Sequence, residues 1–386
     1  MDKRGAKRIT IIVIFIAVLL VATIGVIAGV KITRRKHFET FVDFVVEVNG
    51  NRPARVLQLT DTQNIDPTQE RYPDRVSDEV EIQWSSAEDN YRRYVKQVVK
   101  ESDPDLILIT GDVIYGEFDD NGTVLQEFVT FMDSLKVPWA PVFGNHENES
   151  NMGADWQSAQ FENSKYCLFK QRTLTGNGNY SVGIVQNNRL TRVFFMMDSN
   201  GCAVISQASY ANGHTSKYAG FGQDQIDWYT QETQKIKKEY PEVNLSFCFH
   251  IPFAAFSDAY EGYSVPSDLD EIGKEGDFGY LGEKVGVLWD SNKEVFQGMK
   301  ELGADSILVG HVHGISASVM YEGVRMQHGL KSSTYDNTNY LTSAGDIVSQ
   351  VSDNGANTPI VGGTLMLLDK KTGDINEAKL VLYKEK

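Results

Sequence analysis

From residue 41 onward, short apolar runs alternate with polar loops and with stretches in which apolar residues recur at helical spacing. The apolar runs predict strands over 41–48, 56–60, 106–110, 139–143, 192–197, 245–249 and 306–309. The helical spacing predicts helices over 90–100, 124–135, 224–238 and 293–302. Strands that alternate with helices are typical of a layered α/β domain.

The C-terminal part of the chain departs from this alternation. Apolar runs at 316–321, 324–327, 363–368 and 378–383 predict strands without intervening helices, which indicates a second sheet. The predicted fold is therefore an α/β four-layer α/β/β/α sandwich of two mixed β-sheets flanked by helices. Three segments without clear periodicity, at 64–88, 149–179 and 253–286, predict long loops of the kind that carry specificity.

The first 36 residues differ from the rest of the chain. Residues 9–30 form a stretch of 22 without a charge, and ~20 apolar residues cross a bilayer as a helix. A buried core helix would be unusually long and uniformly apolar, and the apolar core of a cleaved signal peptide is shorter, about 7–15 residues. The pattern predicts one N-terminal transmembrane helix, an uncleaved signal anchor within a basic segment at 1–36, followed by one domain over 37–386.

Charge is distributed unevenly along the chain. Residues 1–36 hold eight basic side chains and one acid, so the net charge of −15 leaves −22 on residues 37–386. A domain this acidic repels polyanions, so no nucleic acid partner is expected. Four basic residues on each side of the span leave the positive-inside rule undecided. Because a short basic N-terminus usually stays in the cytoplasm, we expect a single-pass membrane protein whose domain is extracellular.

Polar residues that can do chemistry follow five of the predicted strands, each at the end of an apolar run. In chain order these segments are Asp61-Thr62-Gln63, Gly111-Asp112-Val113-Ile114-Tyr115, Gly144-Asn145-His146-Glu147, His250, and Gly310-His311-Val312-His313. Four of the seven histidines belong to this set, which concentrates imidazoles where open α/β sheets place their ligands.

Carboxylates, an amide and imidazoles at successive strand ends are the donors that a two-metal hydrolytic site needs. Asp112 follows a strand and a glycine and is the best candidate for a carboxylate that bridges two metals, while Asp61 supplies a second carboxylate. Asn145 offers a neutral amide oxygen, and the imidazoles come from His250, His311 and His313. Each motif alone is more often a turn or a core group, but the full set in this order favours a metal centre.

Other polar residues are candidates for supporting roles. His146 adjoins Asn145 and could bind a phosphate oxygen or give a proton to a leaving group. Glu147 is expected to hold the tautomer of His146 by accepting a hydrogen bond. His214 and Asp198 are candidates for substrate binding, with a surface loop and a turn as the respective alternatives.

These motifs resemble those of the calcineurin-like metallophosphoesterase superfamily, whose usual order is Asp-X-His, Gly-Asp, Gly-Asn-His-Asp/Glu, a lone His and Gly-His-X-His. The resemblance covers roughly residues 56–330 and implies a metallophosphoesterase fold. It implies that Asp61, Asp112 and His313 hold one metal ion and that His146 assists catalysis. The other metal ion would be held by Asp112, Asn145, His250 and His311.

One position departs from the superfamily pattern, because Gln63 stands where the histidine of Asp-X-His is expected. Purple acid phosphatases also lack that histidine, and a tyrosine in their Gly-Asp-X-X-Tyr motif binds ferric iron. Tyr115 has that spacing, so the chain resembles the purple-acid-phosphatase-related branch, with iron at one position and zinc, manganese or a second iron at the other. Alternatively, Tyr115 packs in the core and Gln63 coordinates weakly or through water.

The resemblance implies a membrane-anchored, binuclear metal-dependent phosphoesterase acting on a small phosphorylated substrate. The simplest form is a phosphomonoesterase in which a hydroxide that bridges the metals attacks phosphorus. A phosphodiesterase or nucleotide pyrophosphatase could use the same centre, with the difference set by the three aperiodic segments. An inactive membrane-tethered binding module, marked by Gln63, is the non-enzymatic alternative.

Overall fold

The computed structural model describes residues 35–50, 52–69, 71, 90–201, 220–261, 276–282, 293–334, 338–341, 347–348 and 358–384. Its first strands are β1 (Phe44–Val48), β2 (Ala54–Leu59), β3 (Leu106–Ile109), β4 (Trp139–Pro141), β5 (Tyr180–Gln186), β6 (Arg189–Met196), β7 (Asn244–Cys248) and β8 (Phe278–Leu281). The later strands are β9 (Ala304–Val309), β10 (Ile315–Tyr321), β11 (Val324–His328), β12 (Tyr340–Leu341), β13 (Ile347–Val348), β14 (Thr358–Pro359), β15 (Gly362–Leu368) and β16 (Ile375–Leu382). The helices are α1 (Asn90–Ser102), α2 (Thr123–Ser134), α3 (Ala154–Asn163), α4 (Gln223–Glu239), α5 (Ala255–Tyr260) and α6 (Lys293–Glu301).

Five strands form one mixed sheet in the order β16-β15-β2-β3-β4. The neighbours β2, β3 and β4 run parallel, so their carboxyl ends lie at one edge, whereas β15 and β16 extend the sheet with antiparallel pairings. Helix α1 lies against β15, β16 and β2. Every residue of β3, which lies between β2 and β4, is buried, and its sequence is accordingly an unbroken apolar run.

Eight strands form the second mixed sheet in the order β1-β5-β6-β7-β9-β11-β10-β8. Within it β6, β7, β9 and β11 are parallel neighbours, so the ends of β7 and β9 lie side by side. Successive residues of β6 face opposite sides: Phe194 packs with the core that reaches the five-stranded sheet, while Phe195 packs with the core that contains Trp228 of α4 and Phe296 of α6. The two sheets therefore stack with helices on their outer faces, and the predicted α/β architecture of two mixed sheets is confirmed.

Some elements inside the aperiodic segments were not predicted from the sequence. Helix α3 buries Gln157, Ser158 and Phe161, so its inner face is mostly polar and gives no apolar stripe. The short strand β8 contains Gly279, whose φ is +102°, and it pairs with β10 at the sheet edge. These segments carry short structural elements in addition to loops. A small third sheet pairs β13, β12 and β14.

The predicted transmembrane helix at residues 9–30 lies outside the described residues. Among the helices that the structure describes, none is long and apolar enough to cross a bilayer. Helix α4, the longest of those described, has 17 residues and is interrupted by acidic and basic side chains, whereas a span needs ~20 predominantly apolar residues. The predicted architecture with a leading transmembrane helix, and the single-pass location with an extracellular domain that follows from it, are therefore corrected: the described fold contains no such helix.

Candidate metal centre

The carboxyl ends of five strands meet where the two sheets face each other. Backbone hydrogen bonds join these ends directly, because Asp61 N donates to Gly111 O at 3.1 Å and Gly310 N donates to His250 O at 3.0 Å. The sheet topology itself, with parallel neighbours in both sheets, thus brings together the polar residues that follow β2, β3, β4, β7 and β9, namely Asp61, Asp112, Asn145, His250 and His311.

Two groups of candidate ligand atoms form at this edge, and Asp112 belongs to both. Atoms of Asp112, His250 and His311 lie within 4.8 Å of one another, and so do atoms of Asp61, Asp112 and His313. His250 Nε2 lies 3.0 Å from Asp112 Oδ2 and 3.3 Å from His311 Nδ1. On the other side, His313 Nε2 lies 3.3 Å from Asp61 Oδ1. One carboxylate shared between two imidazole-containing groups is the arrangement that a pair of metal ions requires.

The backbone is strained at the same place. Asp61, Gln63, Asp112 and His311 have φ values of +51°, +42°, +51° and +77°, in the left-handed region that residues other than glycine seldom occupy. Gly144 is required by close packing, since a Cβ at this residue would lie 2.1 Å from Asp112 Oδ1. Clustered strain of this kind is typical of functional sites, where the surrounding structure holds it in place.

Burial and mutual contact set the charges of the centre. Burial alone would raise the pKa of the Asp112 carboxyl, but the His250 and His146 imidazoles hold that pKa well below its ordinary value. Burial would lower the pKa of His250, yet the charge of Asp112 and the hydrogen bond to it raise that pKa to about 9. Burial, together with the charge of His250, lowers the pKa of His311 to about 3. The centre thus combines ionised carboxylates with an imidazole that is neutral at physiological pH, which is the form that binds metals.

The side-chain oxygen of Asn145 indicates whether this centre can bind a metal ion. Its Oδ1 is buried and accepts no hydrogen bond from the residues that the structure describes, and a buried polar oxygen normally has a partner. Gly201 packs directly on Asn145, since a Cβ at this glycine would lie 2.5 Å from the Asn145 Cα. An orphaned amide oxygen, in the turn whose Gly144 packs against Asp112, is a donor suited to zinc, manganese or iron.

His146 is oriented by Glu149. The Nδ1 atom of His146 lies 2.6 Å from Glu149 Oε2, and its Nε2 lies 3.9 Å from Asp112 Oδ2. One ring nitrogen is therefore held by a carboxylate while the other faces the centre. The expectation that Glu147 holds the His146 tautomer is wrong, because the acceptor is the acid three residues after the histidine. The signal for it in the sequence is the His-X-X-Glu spacing, which places both side chains on one side of a tight helical turn.

Glu147 has a different role, which is to fasten neighbouring strand ends. Its fully buried carboxylate accepts hydrogen bonds from Val113 N at 2.6 Å, Gly144 N at 2.6 Å and Asp112 N at 3.3 Å. Burial, together with the negative charge of Asp112, raises the pKa of Glu147 to about 7. Glu147 is therefore a positioning residue that holds the turn of Asp112 against the turn that carries Asn145.

Tyr115 lies against the His146 ring. Their ring centroids are 4.0 Å apart with 31° between the planes, and Phe118 meets Tyr115 edge-on at 5.5 Å. The Tyr115 residue is 8% exposed and belongs to the core that joins the two sheets. These contacts are the ones expected if Tyr115 packs in the core, and its ligation of ferric iron stays a prediction.

Gln63 lies at the edge of the centre and contacts a lysine that sequence analysis did not single out. Gln63 Nε2 lies 3.0 Å from His313 Nε2, while Lys331 Nζ donates to Gln63 Oε1 at 2.9 Å and to Asp61 O at 3.2 Å. Lys331 follows β11 and is 268 residues from Gln63 along the chain. No local sequence pattern links the two, so only the fold reveals their contact.

The two candidates for substrate binding have different outcomes. Asp198 is 1% exposed, and its carboxylate accepts hydrogen bonds from Asn177 N and Asn200 N, each at 2.8 Å. Burial raises the pKa of Asp198 to about 6. Because these contacts hold a turn together, its contact with substrate stays a prediction. His214 lies outside the described residues.

Comparison with known proteins agrees with this geometry. The profile of the calcineurin-like phosphoesterase family matches residues 54–314, a range that contains all five strand-end motifs. The chain is 27% identical over 239 residues to phosphatase DCR2 of Saccharomyces cerevisiae, a match that covers 57% of this chain and 38% of that protein. It is 25% identical over 186 residues to probable inactive purple acid phosphatase 29 of Arabidopsis thaliana, covering 42% of this chain and 46% of that protein. The chain thus spans less than half the length of these curated relatives.

Solved structures of similar fold include a dimetal phosphatase from Danio rerio, with a TM-score of 0.44 and 11% identity over 82% of this chain and 93% of that chain. They also include the purple acid phosphatase PPD1 of yellow lupin, with a TM-score of 0.42 and 12% identity over 86% of this chain and 54% of that chain. The family profile covers more than half of the present sequence. The chain belongs to the calcineurin-like phosphoesterase family of hydrolases, and its relatives include purple-acid-phosphatase-like proteins.

Proposed function

We propose that this chain hydrolyses phosphate monoesters at a two-metal centre formed by the strand-end residues, within a catalytic domain over residues 37–386. The observation that carries the proposal is the position of Asp112, whose carboxylate belongs to both groups of ligand atoms. Asp61 and His313 complete one position, and the other is completed by Asn145, His250 and His311. Metal ions bound there would supply Lewis acidity toward phosphate oxygens and a hydroxide near neutral pH.

His146 is proposed as the proton donor to the leaving oxygen. Its side chain is 13% exposed, and its Nε2 faces Asp112 at 3.9 Å, so a substrate phosphate at the centre would lie within its reach. Glu149 holds Nδ1, so the Nε2 atom is the one that faces the centre. An Nε2–H group there can donate a hydrogen bond to a phosphoryl oxygen and then give its proton to the leaving group. Donation by His146 and stabilisation of the oxyanion therefore come from one side chain.

The net charge of the chain and its similarity to a protein that is named a phosphatase both favour a monoester over a larger substrate. The net charge of −22 on residues 37–386 disfavours polyanionic substrates such as nucleic acids. The yeast relative is named a phosphatase. A small phosphorylated molecule, whose dianionic phosphate is attracted by the centre, is therefore the proposed substrate class.

The experiment is a substrate panel with added Mn²⁺, Zn²⁺ or iron. The purified chain should hydrolyse p-nitrophenyl phosphate faster than bis-p-nitrophenyl phosphate, and Asp112→Asn should remove both bound metal and turnover. Faster hydrolysis of the diester would transfer the assignment to a phosphodiesterase. A chain that binds metal yet hydrolyses none of the esters would contradict the proposal and indicate a binding module, consistent with the relatives that are named inactive.

A further inference from the structure

Strand β16 forms an outer edge of the five-stranded sheet. It pairs with β15 on one side, and the described part of the chain places no strand on its other side. The strand has eight residues, Ile375–Leu382, whereas a typical strand has about 5–6. Its sequence contains no proline, and the register shift in its ladder lies at one end, between Leu367 and Leu368. Long, regular edges of this kind are templates for pairing with another chain.

Two observations define which backbone groups of β16 point outward. Tyr383, directly after the strand, donates its N–H at 2.8 Å to the carbonyl of the residue before β15. Val381 O also faces β15, since a Cβ at Gly362 would lie 2.0 Å from it. Because alternate residues of an antiparallel strand bond to the same neighbour, the N–H and C=O groups of Ala378 and Leu380 point away from β15. Among the residues that the structure describes, none forms a hydrogen bond with these outward groups.

Two unlike charges lie on this edge strand. Lys379 Nζ lies 2.8 Å from Glu377 Oε1, and the two side chains are 40% and 37% exposed. They are the only charged residues within Ile375–Leu382, so the strand is neutral although residues 37–386 carry a net charge of −22. Charged side chains at a sheet edge can prevent pairing by repulsion. Here the two charges cancel, so two copies of an acidic domain can approach each other at this strand.

An antiparallel pairing of two copies with its twofold axis at Ala378 satisfies both the backbone and the charges. Ala378 would form a hydrogen-bonded pair with Ala378 of the second copy, because its N–H and C=O groups point outward. Glu377 of each copy would then lie opposite Lys379 of the other, in the non-hydrogen-bonded pairs whose side chains are closest. An axis at Glu377 or at Lys379 would instead place like charges opposite each other.

We propose that β16 is a self-complementary interface through which two copies of this chain join their five-stranded sheets into one continuous sheet. The twofold symmetry makes each contact occur twice, as in most homodimers. Leu380 and Leu382 are half-buried in the single chain, and pairing would remove more of their apolar surface from water. The proposal does not depend on the proposed function, because β16 carries no residue of the metal centre.

The experiment measures association of the purified full chain by sedimentation velocity between about 1 and 100 μM, where weak specific dimers are populated. The wild-type chain should show a reversible equilibrium between monomer and dimer. Lys379→Glu places carboxylates opposite each other and should raise the dissociation constant of the dimer by at least about tenfold, because like charges directly opposite are destabilising. Glu377→Lys should do the same with two ammonium groups. Lys238→Glu, at an exposed lysine of α4, is the matched control and should dimerise as the wild type does.

Mixing the two single variants distinguishes this pairing from other modes of association. Lys379→Glu and Glu377→Lys chains should form a mixed dimer, since an acidic strand then faces a basic one. The double variant Glu377→Lys, Lys379→Glu should dimerise with itself again. A wild-type chain that stays monomeric at every concentration, or a dimer that Lys379→Glu leaves unchanged, would overturn the proposal. So would a mixture that does not associate although both variants have wild-type circular dichroism spectra.

Discussion

Glu149 Oε2 lies 2.6 Å from His146 Nδ1, within the turn that follows β4. A carboxylate at this nitrogen keeps a proton on Nδ1 and fixes the ring plane, so that Nε2 faces the metal centre. Tyr115 packs on the same ring at 4.0 Å. His146 is therefore held from two directions, and its orientation does not depend on a bound substrate.

Because Glu149 contacts His146, removing either side chain should lower the catalytic rate without loss of bound metal. Glu149→Ala should lower kcat by about 10–100-fold, in the range found for partners that orient active-site histidines. His146→Ala removes the donor itself and should lower kcat further, by about 10²–10⁴-fold. Both variants should retain the metal content of the wild type, measured by mass spectrometry of the purified protein.

The control for this pair is Glu101→Ala, which alters an exposed acid at the end of α1. It should leave kcat, KM and metal content unchanged. A Glu149→Ala chain with wild-type kcat would show that the carboxylate does not act through His146.

Glu147 should behave differently from Glu149, because its carboxylate binds backbone rather than the histidine. Glu147→Gln places an amide nitrogen against buried N–H donors, including those of Val113 and Gly144. Each buried donor left without an acceptor costs about 1–3 kcal/mol of folding free energy. We expect a clear fall in the free energy of unfolding in urea together with reduced metal retention. Unchanged stability and metal content in this variant would remove the assigned positioning role.

Tyr115 has packing contacts, and we expect Tyr115→Phe to preserve them. The variant should keep the metal content of the wild type, and the visible absorption spectrum of the iron-loaded protein should not change. Ligation by tyrosinate predicts the opposite, namely a visible charge-transfer band in the wild type that disappears in Tyr115→Phe. The spectra therefore decide between the two interpretations of the Gly-Asp-X-X-Tyr spacing.

Asp119 offers a prediction about pH that does not involve the metal ligands. Its buried carboxylate accepts hydrogen bonds from Val124 N at 2.9 Å and Leu125 N at 3.1 Å at the start of α2, and burial raises its pKa to about 6. A raised pKa means that the folded state favours the protonated form. The contribution of Asp119 to stability is therefore complete below its unfolded-state pKa and is lost as the pH rises through about 6.

The matched measurement is thermal unfolding of wild type and Asp119→Asn between pH 4 and 8. The asparagine does not titrate, so the stability of the variant relative to the wild type should increase as the pH rises through this range. A difference in Tm that stays constant with pH would contradict the assigned pKa.

The strand ends of the metal centre could be predicted from the sequence, because each consists of an apolar run and the polar residues that directly follow it. Asp112 and Asn145 follow buried runs and glycine turns, and parallel sheets bring such ends together. The sequence predicts Glu147 as the partner of His146, whereas the structure has Glu149 there. Neighbouring acids in a tight turn point in different directions, and the sequence does not show which one contacts the ring. Lys331 was missed for another reason. Its partner Gln63 is 268 residues away, and a lysine after a strand carries no signal of burial.

Anomalous diffraction from crystals grown with Mn²⁺ would locate the metal ions in the molecule. We expect a strong peak bounded by the side chains of Asp112, Asn145, His250 and His311. A second peak is predicted beside Asp61 and His313. Strong manganese peaks elsewhere in the molecule, with none at Asp112, would contradict the assignment of this centre.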